Sequence, residues 1–213
     1  MKYDLRILFL LFIIYSFAGW IYEVIVGLVK QKKFIDRGFL LGPYCPVYGF
    51  GGILMTLLLS RYVDDKVTLF IMCMLLFSML EYLTSYILEK VFNARWWDYS
   101  KFKFNINGRI CLEVMIPFGI AGLFFMYIAN PFFLEIINKI PQTLLSIITI
   151  ILLIIFILDI FISFDAMFKI KGTIKKVKKD NTEEITKKVK EIIMQKSYLK
   201  KRLIKAFPKL KIK

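Results

Sequence analysis

The sequence of 213 residues is 58% hydrophobic, yet its Lys and Arg residues outnumber its Asp and Glu residues by 31 to 16. Ordinary soluble domains do not combine these two properties, so apolar surface and charge must be segregated along the chain. Residues 169–213 hold 17 basic and 4 acidic side chains, and +13 of the net charge of +15 therefore lies there. We expect an all-α polytopic membrane protein with a transmembrane domain, residues 1–168, and a basic cytoplasmic tail, residues 169–213.

Long apolar runs set the number of predicted membrane spans. A helix needs about 20 apolar residues to cross the hydrocarbon core of a bilayer, and four runs meet this length plainly. A further run, residues 47–60, is too short unless it is extended back to Phe39, and the extension takes in Gly and Pro residues that interrupt a helix. We therefore predict about five spans with a broken second span, at approximately residues 5–29, 39–60, 67–92, 110–128 and 141–164.

Basic residues in the connecting segments predict the orientation. They follow the first and third spans and dominate the tail, whereas the other two connections carry few of them. Because Lys and Arg concentrate on the cytoplasmic side, we expect a multi-pass protein of the plasma membrane with its N-terminus outside and its C-terminus in the cytoplasm.

The predicted spans contain the acids Glu23, Glu81, Glu113 and Asp159. A charge in the bilayer needs a partner, a proton or a water-filled cavity. Counting from the cytoplasmic helix ends makes Glu81 the deepest acid, at about 15 Å, and it shares a polar helix face with Ser78, Tyr82, Ser85 and Glu89. We predict a polar pocket open to the cytoplasm, with buried ion pairs that only hold helices together as the alternative. For Glu113 and Asp159, which can reach toward the interface, the structural alternative is favoured.

Several motifs occur together in the first two thirds of the chain. They are Gly19–Glu23, Asp36–Gly51 (DRGFLLGPYCPVYGFG), Leu80–Ser85, Arg95–Ser100 and Phe104–Leu112. In combination they resemble the bacterial membrane family of ABC-transporter type IV permeases. The resemblance extends from about Leu5 to Phe132, and nothing after about Pro141 is expected to contribute. It implies a transport role without naming a substrate.

The motifs and the buried acids together define a candidate pocket. Its residues are Glu23, Arg37, Tyr44, Tyr48, Glu81, Tyr82, Ser85, Arg95, Asp98, Asn107 and Arg109. The segment from Gly42 to Gly49 breaks a helix, either to bind an ion or substrate or only to bend the chain. Arg95 and Asp98 are spaced for a salt bridge or a ligand clamp, and Asn107 is expected to cap the next helix. Trp96, Trp97 and Tyr99 fit an interfacial aromatic belt.

The tail has its own signals. A basic run from Lys169 to Lys179 is followed by Asp180, which suits the start of a helix with apolar residues from Ile185 onward at helical spacing. We expect a basic amphipathic helix on anionic lipid. An acidic partner or a solvated tail remain alternatives, and nucleic acid is not favoured.

The leading functional hypothesis is a permease-type subunit. The 213 residues contain no GxxxxGK[ST] phosphate loop, so ATP-driven transport is expected to need a separate ATPase chain. One alternative is an enzyme that acts on lipid or cell-envelope precursors with Glu23 and Glu81 as acid and base, and another is a membrane scaffold or regulator. With no His and three isolated cysteines, which we interpret as small apolar residues, no metal, cofactor or catalytic residue is assigned. Association into a homo-oligomer is left open.

Overall fold

The computed structural model describes residues 4–32, 34, 36, 38–92, 94–177 and 211–212, and the chain in these ranges is mainly helical. The helices are α1 (Leu5–Gln31), α2 (Pro46–Leu54), α3 (Lys66–Phe92), α4 (Leu112–Phe124), α5 (Asn130–Asn138) and α6 (Gln142–Val177). A π-helical turn (Met55–Leu59) and a 3-10 turn (Ser60–Tyr62) extend α2, and a second π-helical turn (Phe125–Ala129) joins α4 to α5. The short strands are β1 (Ala94–Arg95), β2 (Asn105–Ile106), β3 (Ile110–Cys111) and β4 (Lys211–Ile212).

Within the described ranges, 4 helices are long and apolar enough to cross a membrane: Leu5–Val29, Lys66–Phe92, Leu112–Asn138 and Gln142–Lys169. The fourth predicted span therefore ends too early at residue 128, because the chain stays helical through Asn138. Pro131 lies in the first turn of α5, where a residue without an N–H is tolerated. The amphipathic helix predicted from Ile185 lies outside the described residues.

Helix α1 is the central helix, and α2 packs antiparallel to it at very short range. A Cβ atom on Gly19 would lie 2.3 Å from the Tyr48 ring, and one on Gly52 would lie 2.3 Å from the Tyr15 ring. Such contacts are open only to glycine, so the two backbones approach closely. An apolar cluster joins this pair to α5 and α6 through Leu10, Leu11, Tyr15, Ile137 and Leu145.

The antiparallel pair α3 and α4 is offset along its axis. Gly122 lies against Cys73, and the rings of Phe77 and Phe118 are 5.5 Å apart. Because the two helices are antiparallel, each residue toward the start of α4 corresponds to one residue toward the end of α3. Leu112, the first residue of α4, therefore lies opposite Leu83. Residues 84–92 of α3 therefore extend beyond the start of α4 and leave a corner for the connecting segment.

Residues 94–111 fill this corner by folding back along α3. Strands β2 and β3 pair as an antiparallel hairpin, whose turn contains Asn107 at φ 51 and Gly108 at φ 64. Strand β1 pairs antiparallel with β4 and so brings Lys211 beside Arg95. Cys45, Cys73 and Cys111 are buried free thiols, in agreement with their interpretation as small apolar residues.

Candidate functional site

Two arginines and two carboxylates meet around Glu89. Arg109 and Arg95 both form ion pairs with Glu89 Oε2, Arg95 through its Nε at 3.2 Å. Arg95 Nη1 also lies 3.5 Å from Asp98 Oδ1, the geometry of the local salt bridge that was one of the two alternatives for this pair. The Glu89 side chain is only 10% exposed, so its charge is held by these partners. We call Glu89, Arg95, Asp98 and Arg109 the ion-pair cluster.

The hairpin turn positions the two arginines. Arg95 Nη2 donates to the Asn107 carbonyl at 3.0 Å, and Asn107 Nδ2 donates to Tyr82 Oη at 2.9 Å. The Arg109 guanidinium lies over the Tyr82 ring, 5.7 Å from its centroid. Asn107 is therefore not the cap of the next helix: Cys111 occupies that position without a side-chain hydrogen bond. The prediction was wrong because strand pairing places the hairpin turn, and not the helix start, at residue 107.

Trp96 and Trp97 stabilise the fold of residues 94–111. Trp96 is 3% exposed and packs edge-on against Phe39 and Phe92. Trp97 Nε1 donates to the Arg109 carbonyl at 3.1 Å. Trp96 is thus a core residue and does not belong to an interfacial belt, because the fold-back turns it toward the bundle.

A second polar group joins four elements. Tyr48 Oη on α2 donates to Glu23 Oε1 on α1 at 2.8 Å, and Tyr99 Oη on the folded-back segment donates to Glu81 Oε1 on α3 at 3.3 Å. Burial, followed by the charges of Glu81 and Glu23, raises the pKa of Tyr99 above its usual range, so this phenol remains a proton donor. Glu23 and Glu81 also lie close enough for their negative charges to repel each other. We call these four residues the carboxylate–tyrosine group.

Asp159 on α6 holds the broken segment before α2. Its Oδ1 and Oδ2 accept hydrogen bonds from the backbone N–H groups of Leu41 (2.8 Å) and Gly42 (2.6 Å). Ser163 Oγ donates to Oδ1 at 2.8 Å. Asp159 does not reach toward the interface as the sequence suggested. It is 8% exposed and satisfies the peptide groups that the helix break leaves open, a structural role of the kind that the sequence favoured for this acid.

A family model described as "Putative ABC-transporter type IV" matches residues 10–164. The chain belongs to this family. The match continues through most of α6, so the expectation that nothing after about Pro141 contributes is wrong. Searches among curated proteins and among solved structures gave no match.

In this family member, the predicted pocket is divided into separate groups. Tyr82 and Asn107 adjoin the ion-pair cluster, whereas Tyr44 packs on Phe156 of α6 at 6.0 Å and lies against Gly42, beside Asp159. Ser85 is buried, and Arg37 lies outside the described residues. Sequence reasoning placed Glu89 on the polar face of α3 but left it out of the pocket. The sequence signal that could have included Glu89 in the pocket was its position near the end of α3, shortly before Arg95.

Among the residues that the structure describes, no three His, Cys, Asp or Glu side chains are grouped so that they could hold a metal ion. Glu113 is exposed in the first turn of α4, where the helix dipole favours a negative charge.

Proposed function

We propose that this chain is a permease-type membrane subunit of a transporter and that it works with a separate ATPase chain. Family membership supports a transport-related role for a membrane protein. The proposal assigns energy coupling to a partner, since the phosphate-binding loop of an ATPase does not occur in the 213 residues. The substrate is not specified by the family.

The observation that carries the proposal is the carboxylate–tyrosine group. Its side chains come from α1, α2, α3 and the folded-back segment, so any relative movement of these elements changes the group. Ionisable side chains among membrane-spanning helices are costly and commonly mark a substrate or ion path. Through Tyr99, the folded-back segment, which lies outside the helices, contacts Glu81. A partner chain acting on that segment would thereby alter the proposed site.

The test is Glu81→Gln, which keeps the side-chain shape while it removes the charge. If Glu81 binds a substrate or carries a proton, the variant should insert and melt almost normally but lose activity in a cellular complementation assay. Glu113→Gln, a change at an exposed carboxylate, is the matched control and should keep activity. Full complementation by Glu81→Gln would refute the functional role, and loss of activity together with loss of folding would make Glu81 structural.

The partner is tested by purifying the tagged chain from native membranes. Co-purification of an ATPase whose activity depends on this chain supports the proposal. The same carboxylate–tyrosine group also suits acid–base chemistry, which is the specific support for the second candidate, an enzyme acting on lipid or cell-envelope precursors. Turnover of such a precursor by the purified chain without ATP would favour the enzyme over the permease.

A further inference from the structure

The folded-back segment has an exposed tip, residues 101–106, in which basic and apolar side chains alternate. Phe104 is 80% exposed, Ile106 is 54% exposed and Phe102 is 40% exposed. Lys101 and Lys103 are exposed as well. We call these residues the interfacial tip. Its apolar side chains face the surroundings of the protein and not the helix bundle.

The tip is held in a defined conformation. Asn105 Nδ2 donates to the Phe102 carbonyl at 2.7 Å, and Asn105 Oδ1 accepts a hydrogen bond from the Gly108 N–H at 2.9 Å. Phe104 has a φ of 50°, in the left-handed region that a bulky side chain rarely adopts. Local strain of this kind persists only where the surrounding structure imposes it, and it is common at binding sites.

The position of the tip identifies its surroundings. The adjoining Asn107 contacts Tyr82, and α4 begins opposite Leu83, so the tip lies at the level where α4 enters the apolar part of the bundle. Leu112 and Ile116 on α4 are 41% and 44% exposed and belong to a helix with the length and composition of a membrane span. A tip at this level meets the boundary between acyl chains and lipid headgroups.

We propose that the interfacial tip docks on the anionic surface of the lipid leaflet. Phe104 and Ile106 enter the acyl boundary, while Lys101 and Lys103 lie on the headgroup phosphates, because apolar burial and charge attraction act together at such an interface. The proposal does not depend on a transport function.

Lipid contact at the tip would also stabilise the carboxylate–tyrosine group. The Phe102 ring packs on the Tyr99 ring at 5.8 Å, and the Phe102 N–H donates to the Tyr99 carbonyl at 2.9 Å. Tyr99 in turn donates to Glu81. Docking of the tip therefore keeps Tyr99 in place against Glu81.

The experiment uses the full chain in nanodiscs, with a nitroxide spin label on Phe104→Cys. Collision of the label with oxygen, which is enriched among acyl chains, is compared with collision with a water-soluble nickel chelate. A label on Asp64→Cys, in the exposed turn before α3, is the matched aqueous control, and the chain without an introduced cysteine controls for labelling of the buried thiols. Nanodiscs of neutral lipid and of mixed neutral and anionic lipid are both used.

We expect the oxygen-to-nickel accessibility ratio at position 104 to be several-fold higher than at position 64 and to rise further with anionic lipid. Replacing Lys101 and Lys103 together by Gln should remove only the anionic increase, whereas Lys139→Gln should leave it unchanged. Equal ratios at positions 104 and 64 in both lipids would overturn the proposal. A ratio at position 104 that stays low until an ATPase chain is added would also overturn it and make the tip a protein-docking surface. A ratio at position 104 that is high but equal in neutral and in anionic lipid would refute the role of Lys101 and Lys103.

Discussion

At the scale of single residues, the structure decides which acid each arginine contacts. The sequence placed Arg95 and Arg109 near the carboxylates of Glu23 and Glu81, and both arginines instead bind Glu89. Helix counting could not have shown this, since it assumes that the segment after α3 leaves the membrane directly. The fold-back along α3 brings Arg109 to Glu89 and Tyr99 to Glu81, and only tertiary contacts specify it.

Removal of the Glu89 carboxylate should destabilise the protein strongly. Glu89→Ala leaves two arginine charges in a site where side chains are only 10% to 16% exposed, and breaking a buried pair of this kind costs about 3 kcal/mol of the free energy of unfolding. Equilibrium unfolding in detergent measures the loss. Glu135→Ala is the control, because the Glu135–Lys139 pair is exposed and should contribute at most about 0.5 kcal/mol. Equal effects of the two substitutions would contradict the assigned role of Glu89.

Tyr99 gives a pH-dependent prediction. Its pKa is raised in the folded protein, so its contribution to stability is complete below the pKa of an unfolded tyrosine, about 10. As the pH rises above that value, the unfolded chain loses the phenol proton first, and stability falls. Between neutral and strongly alkaline pH, the melting temperature of Tyr99→Phe should therefore fall less than that of the wild type. Parallel alkaline melting profiles would show that Tyr99 does not contribute.

At the scale of elements, long apolar runs were enough to predict α1, α3 and the membrane part of α6. A run near the length of the hydrocarbon core favours one helix regardless of its neighbours. The extent of α4 and α5 was not predictable, because a π-helical turn at Phe125–Ala129 continues the helix past the predicted end. The strands of two residues each carry no sequence period, and their pairing depends on the fold-back.

The link between α6 and the broken segment is testable by hydrogen exchange. Asp159→Ala removes the acceptor of the Gly42 N–H group and one of the two acceptors of the Leu41 N–H group, which also donates to Ser163 Oγ at 3.1 Å. The Gly42 amide proton should therefore exchange much faster and the Leu41 amide proton moderately faster, while those of mid-helix α1 change little. Asp165→Ala is a suitable control, since Asp165 is exposed and pairs only locally with Lys169 in the described contacts. Unchanged exchange at residues 41 and 42 would show that other contacts hold the segment.

At the scale of the whole molecule, polar contacts lie at several levels of the bundle. The ion-pair cluster and the carboxylate–tyrosine group lie toward the C-terminal ends of α1 and α3, and Asp159 lies in the middle of α6. Near the opposite end, Arg6 donates to Ser146 Oγ at 2.7 Å and joins α1 to α6. Between them, Tyr15 Oη and Thr56 Oγ1 both donate to Asn130 Oδ1, at 2.7 and 3.0 Å. The candidate site is therefore asymmetric, because it lies nearer to one end of the bundle than to the other.

This asymmetry leads to a prediction about membrane topology. Helix α2 with its extension runs antiparallel along α1, from Pro46 to Tyr62, and Tyr127 Oη donates to the Val63 carbonyl at the far end. If α2 crosses the membrane, the chain makes five crossings. Asp64 and Lys101 lie before and after α3, so a membrane-spanning α3 by itself puts them on opposite faces. The basic residues after α3 then place Lys101 in the cytoplasm.

The measurement is the labelling of single cysteines in intact cells with a reagent that does not cross membranes, after the three buried native cysteines have been replaced. A cysteine at position 64 should react from outside, and a cysteine at position 101 should react only after the cells are opened. If both positions react from the same face, the chain between them crosses the membrane an even number of times or not at all. Reaction of position 101 alone from outside would reverse the orientation and place the ion-pair cluster and the interfacial tip at the outer leaflet.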